Sequence, residues 1–442
     1  IDQVRPRVDP TPEEREKLRQ VASEIIERTR AATSSRVPEA DVMQVGSTAR
    51  GTWVRGDRDI DIFIRFPPDM PRDELERLGI EIGHEVLPSG HEEYAEHPYV
   101  KGTYMEYDVD LVPCYRVKEA SDIQSAVDRT PFHTTYIRER LNDDLAADVR
   151  LAKQFFKGIR VYGSDLATRG FSGYLVELLT CEYGGFVNMI EQIADWNPPV
   201  TLDPADHGQA SFDDPLTVID PTDPERNVAA VVVPEQVASA QHHSRVLLKQ
   251  PATDHFFHDG GSSVSKEDVI EHLNKRDTHP IAIQFDAPDL VPDQLWPQLD
   301  RSLKGLQEGL SRAGFEPLRG EAFSEETAVL LVECEVSQRP RIERHEGPPV
   351  HVKGHANSFY ENYADDSDVY GPFIEGNRYV VERPRTFQTP VEYVEESLLD
   401  VALGVDVRRE LERGYEIFVN DEIAELTSSF DKELGRYFNP KP

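Results

Sequence analysis

Cysteine is scarce in this chain, 3 among 442 residues. Cys114, Cys181 and Cys334 are odd in number and far apart, which excludes a disulfide framework and a cysteine-based zinc site and fits a reducing compartment. Long apolar runs are lacking too. No stretch approaches the roughly 20 residues of a membrane span. The chain opens on a polar, proline-containing segment rather than a basic, apolar leader, so a soluble cytoplasmic protein with no membrane partner is expected. Neither His242-His243 nor His255-Phe256-Phe257-His258 has a cysteine or carboxylate at a metal-ligand spacing, so both read as solvated loop histidines. There is no internal repeat or low-complexity tract.

Positive charge is the other deficit: Lys and Arg number 48 against 82 Asp and Glu, a formal net charge of -34. Such a balance ordinarily argues against a nucleic-acid partner, because phosphate binding is driven by cations on the protein. The distribution changes that inference. The acids are spread along the whole chain rather than gathered in a tail, and Arg outnumbers Lys about threefold. This reads as the solvated acidic surface of a halophile, the alternative being an acidic mesophilic protein that avoids nucleic acid. In molar salt the Debye length falls to about 3 Å, which screens long-range repulsion of a polyanion. The acidity reports the solvent, not the partner.

The length, with 32 Pro and 27 Gly, calls for several domains. Leu18, Val21, Ile25 and Ile26 recur at helical spacing after Thr11-Pro12, a helix cap. A strand at Asp59, a helix over 72–85 and a strand over 106–112 follow, making an α/β unit over 1–141. Leu145, Val149, Ala152 and Phe156 mark a helix from Asp143 that leaves Arg150, Lys153 and Lys157 on its opposite face, where Lys157 reads as solvated. A further helix is expected from after Asp165 to Leu179, within a mainly helical segment over 142–257. Pro251 to Gly261 reads as a linker. Ser265 caps a helix, Ile281 to Phe285 reads as a strand, and Pro292 to Ala313 as a helix that Gly314 ends. Thr327 to Val336 is β-rich, and Gly376-Asn377 suits a hairpin turn. The remaining segments are thus 258–305, a small α+β module over 306–385, and a helical close over 386–442.

The residues that carry chemistry are Gly46-Ser47, Asp59-Ile60-Asp61 and Asp108-Val109-Asp110. On a strand, alternate side chains share a face, so Asp59 and Asp61 project together while Ile60 and Ile62 point away. If the second strand is a neighbour, Asp110 joins them. Paired metal ions about 3.5 to 4 Å apart need such bridging carboxylates to promote phosphoryl transfer. Glu106 and Asp108 share the face of Asp110 and remain rival ligands. Gly46 permits close backbone approach, the Ser47 hydroxyl can donate to a phosphate, and a helix starting there would aim free N–H groups at the same anion, with Arg50 one turn on.

Taken together, Gly46-Ser47-Thr48-Ala49-Arg50, Asp59-Ile60-Asp61, Tyr94-Ala95-Glu96-His97-Pro98-Tyr99-Val100 and Asp110-Leu111-Val112-Pro113-Cys114-Tyr115 resemble the archaeal, class I CCA-adding enzymes. Further stretches carry the likeness in order: Ser125 to His133, Arg169 to Leu175, Asp220-Pro221 with Arg226 to Ala230, Trp296-Pro297-Gln298-Leu299 and Gly371-Pro372-Phe373-Ile374. Nearly the whole chain is covered, the 306–385 module least closely.

The resemblance implies an α+β multidomain fold. Its parts are a polymerase-β-like nucleotidyltransferase head, a helical neck, and α+β body and tail domains that grip RNA. It implies addition of C, C and A to the tRNA 3′ end from CTP and ATP, without a template and with Mg²⁺. Asp59, Asp61 and Asp110 become the metal-binding catalytic residues; Asp59 stands where some relatives carry Glu, and the shorter carboxylate still ligates Mg²⁺. Gly46, Ser47, Arg50, Thr130, His133, Lys153 and Tyr162 would meet the phosphates or sugar, and Arg226 the base. Glu96 and His97 would lie near the RNA acceptor end. The implied partners are the tRNA acceptor stem and T arm and a second copy of the chain. Arg339, Arg341, Arg344 and Lys353 form a basic cluster that could meet RNA or simply be solvated. Two rivals remain: a polyadenylating or oligoadenylate-forming nucleotidyltransferase, and an inactive RNA-binding protein of the same fold.

Overall fold

The computed structural model describes residues 1–94, 96–208, 212–257 and 263–440. Ala95, His258 and the end of the expected linker lie outside these. The chain divides into two compact units, Ile1–His258 and Asp259–Lys441.

The first unit opens with a short helix α1 (Arg5–Val8) and a long helix α2 (Pro12–Ser34). Thr11 accepts from the Glu14 N–H while the Glu14 side chain reaches back to the Thr11 N–H, a capping box that fixes the start of α2. There follow β1 (Asp41–Val45), a one-turn helix α3 (Gly46–Arg50), β2 (Asp59–Phe66), α4 (Arg72–Val86), β3 (His91–Tyr94), β4 (Pro98–Tyr104) and β5 (Tyr107–Tyr115). These strands form one sheet in the order β1-β2-β5-β4-β3, with β2 and β5 parallel. Ile60, Ile62 and Ile64 are fully buried beside Leu18, Val21 and Ile25 of α2 and Leu75 and Ile82 of α4. Apolar residues on one face of β2 thus bury it against two helices and leave its acids on the other.

Among the described residues this unit continues with α5 (Thr130–Arg140), α6 (Asp143–Gly158), α7 (Gly173–Glu182), α8 (Phe186–Ala194) and, after the small sheet β6 (Val200–Leu202), β7 (Leu216–Asp220) and β8 (Asp223–Asn227), α9 (Pro234–Lys249). Their core joins Phe155, Phe156, Phe171, Leu175 and Leu178 to Val4, Val8 and Val54 from the start of the chain. Two expectations change here. Helix α7 begins at Gly173, capped by Ser172, because the residues after Asp165 form a turn in which Asp165 Oδ1 accepts the Thr168 N–H. The expected linker contributes to the core: the buried Phe256 ring lies 5.6 Å from that of Phe155. Arg150 and Lys153, on the opposite face of α6, are buried. Arg150 donates to Asp9 Oδ1 and the Gly51 carbonyl, both at 2.6 Å, because the face of α6 opposite the helical core packs on the chain segment that leads into β2.

The second unit holds α10 (Lys266–Arg276), β9 (His279–Asp286), α11 (Pro292–Ala313), β10 (Pro317–Ser324) and β11 (Thr327–Cys334). Next come β12 (Ile342–Pro349), α12 (Lys353–Tyr363), β13 (Tyr370–Glu375), β14 (Arg378–Pro384), α13 (Pro390–Ser397), α14 (Val405–Arg413), β15 (Glu416–Val419) and α15 (Thr427–Phe438). Gly314, at φ +86°, ends α11 as expected, and Gly376-Asn377 joins β13 to β14. The module expected over 306–385 is shorter. Strands β10 and β11 pair into a sheet of order β10-β11-β9-β15, leaving β12-β14-β13 and α12 as the smaller element. The β-rich run over Thr327 to Val336 gives β11 as a strand but not which neighbour it takes, and β10 is not anticipated. The closing segment, expected to be helical, contributes β15 to the larger sheet.

Candidate active site

The parallel pairing of β2 with β5 sets Asp59 opposite Asp108 and Asp61 opposite Asp110. The neighbourhood that alternation could only anticipate is therefore present. Burial, followed by the charges of Asp110 and Asp59, pushes the Asp61 carboxyl up to about 6. Asp59 and Asp110 are raised as well, burial leading in each. Acids crowded this way favour a cation among them. Lys101, opposite Asp110 on β4, brings its Nζ to 3.8 Å of Asp110 Oδ1. Of the two rivals, Glu106 is drawn off by Lys17 at 3.0 Å and Arg58 at 3.8 Å, while Asp108 accepts from Thr103.

Gly46 follows Val45, the register partner of Asp61. Its φ is +74°, and a Cβ added there would lie 1.8 Å from Asp61 Oδ2. Only glycine lets the backbone pass so close to this carboxylate. Among the described residues no three acid, His or Cys side chains are drawn in to ligand distance as they stand. The donor set nevertheless suits a hard divalent cation: three carboxylates, raised by burial and by one another, beside a bare backbone.

Around this face lie two cation groups. Arg50, at the end of α3, places Nε 2.8 Å from Glu177 Oε2 of α7 and donates from Nη1 to Thr134 Oγ1 at 3.0 Å. Lys153 Nζ donates to Glu177 Oε1 at 2.8 Å and to Thr52 Oγ1 at 3.2 Å. Glu177 is fully buried. Burial alone would raise its carboxyl, but Arg50 and Lys153 overcome that and hold it at about 2. Gly173 allows the approach of Tyr162, whose hydroxyl lies 2.9 Å from where a Cβ would stand. Lys157, expected to be solvated, pairs with Asp57 at 3.0 Å and lies 5.4 Å from the Tyr162 ring centroid.

The second group centres on Asp220, at the end of the wholly buried β7. His133 Nε2 lies 2.8 Å from Asp220 Oδ2, and Arg226 Nη1 donates to the same oxygen at 2.7 Å. His133 stacks on Tyr174 with ring centroids 3.9 Å apart. Thr130 starts the helix that carries His133. Arg226 lines a cavity of about 790 Å³ together with Arg129, Ser164, Ser172, Asp223 and Asn227.

The comparisons with known proteins agree along the whole chain. Family models described as nucleotidyltransferase domain, as tRNA nucleotidyltransferase, second domain, and as CCA-adding enzyme, C-terminal domain, match residues 26–133, 147–257 and 276–420. A CCA-adding enzyme of Haloarcula marismortui is 53% identical over 458 residues, spanning 100% of this chain and 98% of that protein. One of Halobacterium salinarum is 55% identical over 444 residues, with the same spans. The chain belongs to the CCA-adding enzymes. It is an enzyme with a nucleotidyltransferase domain, akin to those of halophilic archaea. A solved structure of the Cid1 poly(U) polymerase is also similar, at 12% identity and TM-score 0.45, covering 57% of this chain and 93% of that one.

Other residues singled out for this CCA-adding enzyme lie apart from the carboxylates. Glu96 is exposed and held by Arg72, which donates to its carbonyl at 2.7 Å. His97 is buried, with Nδ1 3.1 Å from Glu76 Oε1. In the smaller element of the second unit Arg344 pairs with Glu346 and Glu375, while Arg339, before β12, approaches Glu316, before β10, at 3.9 Å. Sequence reasoning missed Glu177, Asp220 and Lys101. A signal existed for the first: Leu175-Val176-Glu177-Leu178-Leu179 places one acid inside an apolar helical run, where a buried carboxylate demands a cation. Lys101 has no such signal, since only the register of β4 against β5 brings it to Asp110. Among the described residues no helix is long and apolar enough to cross a membrane.

Proposed function

We propose that this chain completes tRNA by adding C, C and A to its 3′ end from CTP and ATP, without a template and with release of pyrophosphate. The observation that carries this is the register of β2 against β5, which sets Asp61 opposite Asp110 beside the bare Gly46 backbone. The 3′ hydroxyl attacks the α-phosphate, the bond to the β-phosphate oxygen breaks, and the proton leaves with solvent. Asp110 faces the attacking hydroxyl, and Asp59 and Asp61 face the phosphates. Mg²⁺ held by these three carboxylates would supply Lewis-acid charge to the leaving pyrophosphate and lower the pKa of the hydroxyl. Ser47, Arg50 and Lys153 receive the phosphates, their cations already oriented by Glu177, so little reorganisation is needed as charge moves to the leaving group. Tyr162, Thr130 and His133 border the sugar and phosphates, and Arg226 offers a planar guanidinium to the base.

The enzyme works in the cytoplasm as a homodimer and holds the acceptor stem and T arm through shape and backbone contacts. In this reading residues 1–141 are the head, 142–257 the neck, and the second unit the body with a tail built on β12-β14-β13. Glu96 and His97 stand toward the acceptor end.

Gel-resolved extension of a tRNA transcript lacking CCA, in Mg²⁺ and high KCl, tests this. Two additions with CTP alone, a third only when ATP is present, and none from Asp59→Ala/Asp61→Ala are expected. Unlimited A-tailing would replace the proposal with a polyadenylating enzyme, and tight tRNA binding without extension with an inactive RNA-binding protein.

A further inference from the structure

Asp220 collects more donors than any other carboxylate of the site. His133 Nε2 and Arg226 Nη1 meet Oδ2 at 2.8 and 2.7 Å. The Thr222 N–H and hydroxyl meet Oδ1 at 2.9 and 2.8 Å, and the Tyr174 hydroxyl lies at 3.5 Å. The side chain of Asp220 is fully buried, while that of Arg226 is 35% exposed and lines the 790 Å³ cavity. One end of the guanidinium is therefore fixed and the rest opens into the cavity.

We propose that Asp220 is the positioning residue that makes Arg226 a reader of the nucleobase rather than one more phosphate ligand. This rests on the assignment of Arg226 to the base. A guanidinium near a triphosphate would otherwise be drawn to it, since bidentate pairing with phosphate is its strongest interaction. Asp220 compensates that charge locally and holds the plane. What remains to a ligand is a set of N–H donors at a fixed angle, suited to the neutral edge of a heterocycle with an acceptor on its Watson–Crick side. Burial alone would raise the Asp220 carboxyl, but the donors around it hold it well below the usual range, so it stays ionised while the enzyme works. His133 is fixed by the same oxygen. A carboxylate only accepts, so His133 carries a proton on Nε2.

The experiment is CTP against UTP incorporation on a tRNA lacking CCA, with kcat and KM measured separately. Cytosine and uracil differ at the base edge and share triphosphate and sugar. Asp220→Asn keeps the size and one acceptor but loses the charge. The CTP to UTP ratio of kcat/KM should fall roughly tenfold or more, mainly through KM for CTP, while Arg50→Ala weakens both nucleotides alike. Arg226→Ala should reproduce the lost ratio, and the double variant should lose no more than either single one.

A lowered ratio in Arg226→Ala with an unchanged ratio in Asp220→Asn would overturn the positioning role alone. An unchanged ratio in Arg226→Ala would overturn the base-reading assignment and this proposal with it. An equal fall for CTP and UTP in Asp220→Asn would reduce Asp220 to a packing residue. If Asp220→Asn does not fold, ¹⁵N NMR of the unaltered enzyme decides, with the His133 signal assigned against His133→Gln. An Nε2-protonated ring is expected, and a ring protonated on Nδ1 alone would overturn the anchoring.

Discussion

Replacing Glu177 by glutamine removes one negative charge from a place where two buried cations depend on it. Arg50 and Lys153 meet it from different elements, each at 2.8 Å, and their side chains are only 8% and 3% exposed. Breaking a buried ion pair by removing one partner costs about 3–5 kcal/mol, because the surviving charge stays buried. An independent figure comes from linkage. A carboxyl held at about 2 against an ordinary 4.5 contributes about 3 kcal/mol above the unfolded value. At roughly 2–4 °C per kcal/mol for a unit of this size, Glu177→Gln should melt about 6–20 °C below the unaltered protein at neutral pH. The sign with pH follows from a folded value below the unfolded one. The stabilisation is complete above pH 4.5 and is lost as the pH falls through about 2, so the gap between the two proteins should close over that window. CTP should narrow the gap at neutral pH, because its phosphates supply the missing charge to the same cations. Thermal melts by circular dichroism, with and without CTP and across pH, measure all three effects. A gap under about 2 °C, or one that CTP leaves untouched, would refute the reasoning that Glu177 balances the phosphate-binding cations.

Gly46→Ala should abolish extension while the protein still folds, since a Cβ 1.8 Å from Asp61 Oδ2 at a φ of +74° must displace that carboxylate; extension gels beside circular dichroism check it. Chelation by EDTA should stop nucleotide addition and excess Mg²⁺ restore it, while the rise in melting temperature that Mg²⁺ gives the unaltered protein should be lost in Asp61→Asn. Glu333→Gln should destabilise the Asp259–Lys441 unit by about 3 kcal/mol, because Arg276 and Arg319, at 2.6 and 3.0 Å, lose their shared buried carboxylate. Hydrogen exchange should then quicken across β9–β11 and leave β1–β5 unchanged.

Elements with a local cause were legible in the sequence. Thr11 before Pro12 announces the start of α2, where Glu14 completes a capping box, Gly314 ends α11 by taking a positive φ, and the alternation around Asp59 and Asp61 gives both strand and acidic face. What failed depends on partners distant in the chain. Arg150 and Lys153 lie opposite the apolar stripe of α6, and periodicity gives that face without saying what covers it. They are buried because another segment covers that face, and nothing within α6 encodes it. The same limit put β10 and β11 in the wrong module, since a strand's pattern fixes its faces but not its neighbours. The candidate site divides on this line. The acids of β2 and β5 and the cations Arg50 and Lys153 are visible as residue types, whereas Glu177, Asp220 and Lys101 acquire their partners only through packing and register.

That division bears on how so acidic a chain handles a polyanion. A surface cation in molar salt attracts phosphate only within a few ångströms, the Debye length there being about 3 Å, and it is surrounded here by carboxylates. The cations at the site are of another kind. Arg50 and Lys153 are buried, pre-oriented and charge-compensated by Glu177, so salt has little access to them and their entropy of ordering is already spent in folding. Each carries a carboxylate partner that would look like a liability beside a triphosphate. Without it, two buried like charges would repel and lower the stability of the empty enzyme. With it, under the proposed function, the phosphates would enter a site of fixed geometry and reduced positive charge, where affinity comes from directed N–H groups more than from long-range attraction. A net charge of -34 and a nucleotide site are compatible because the attraction that salt would erase is not the one the site uses.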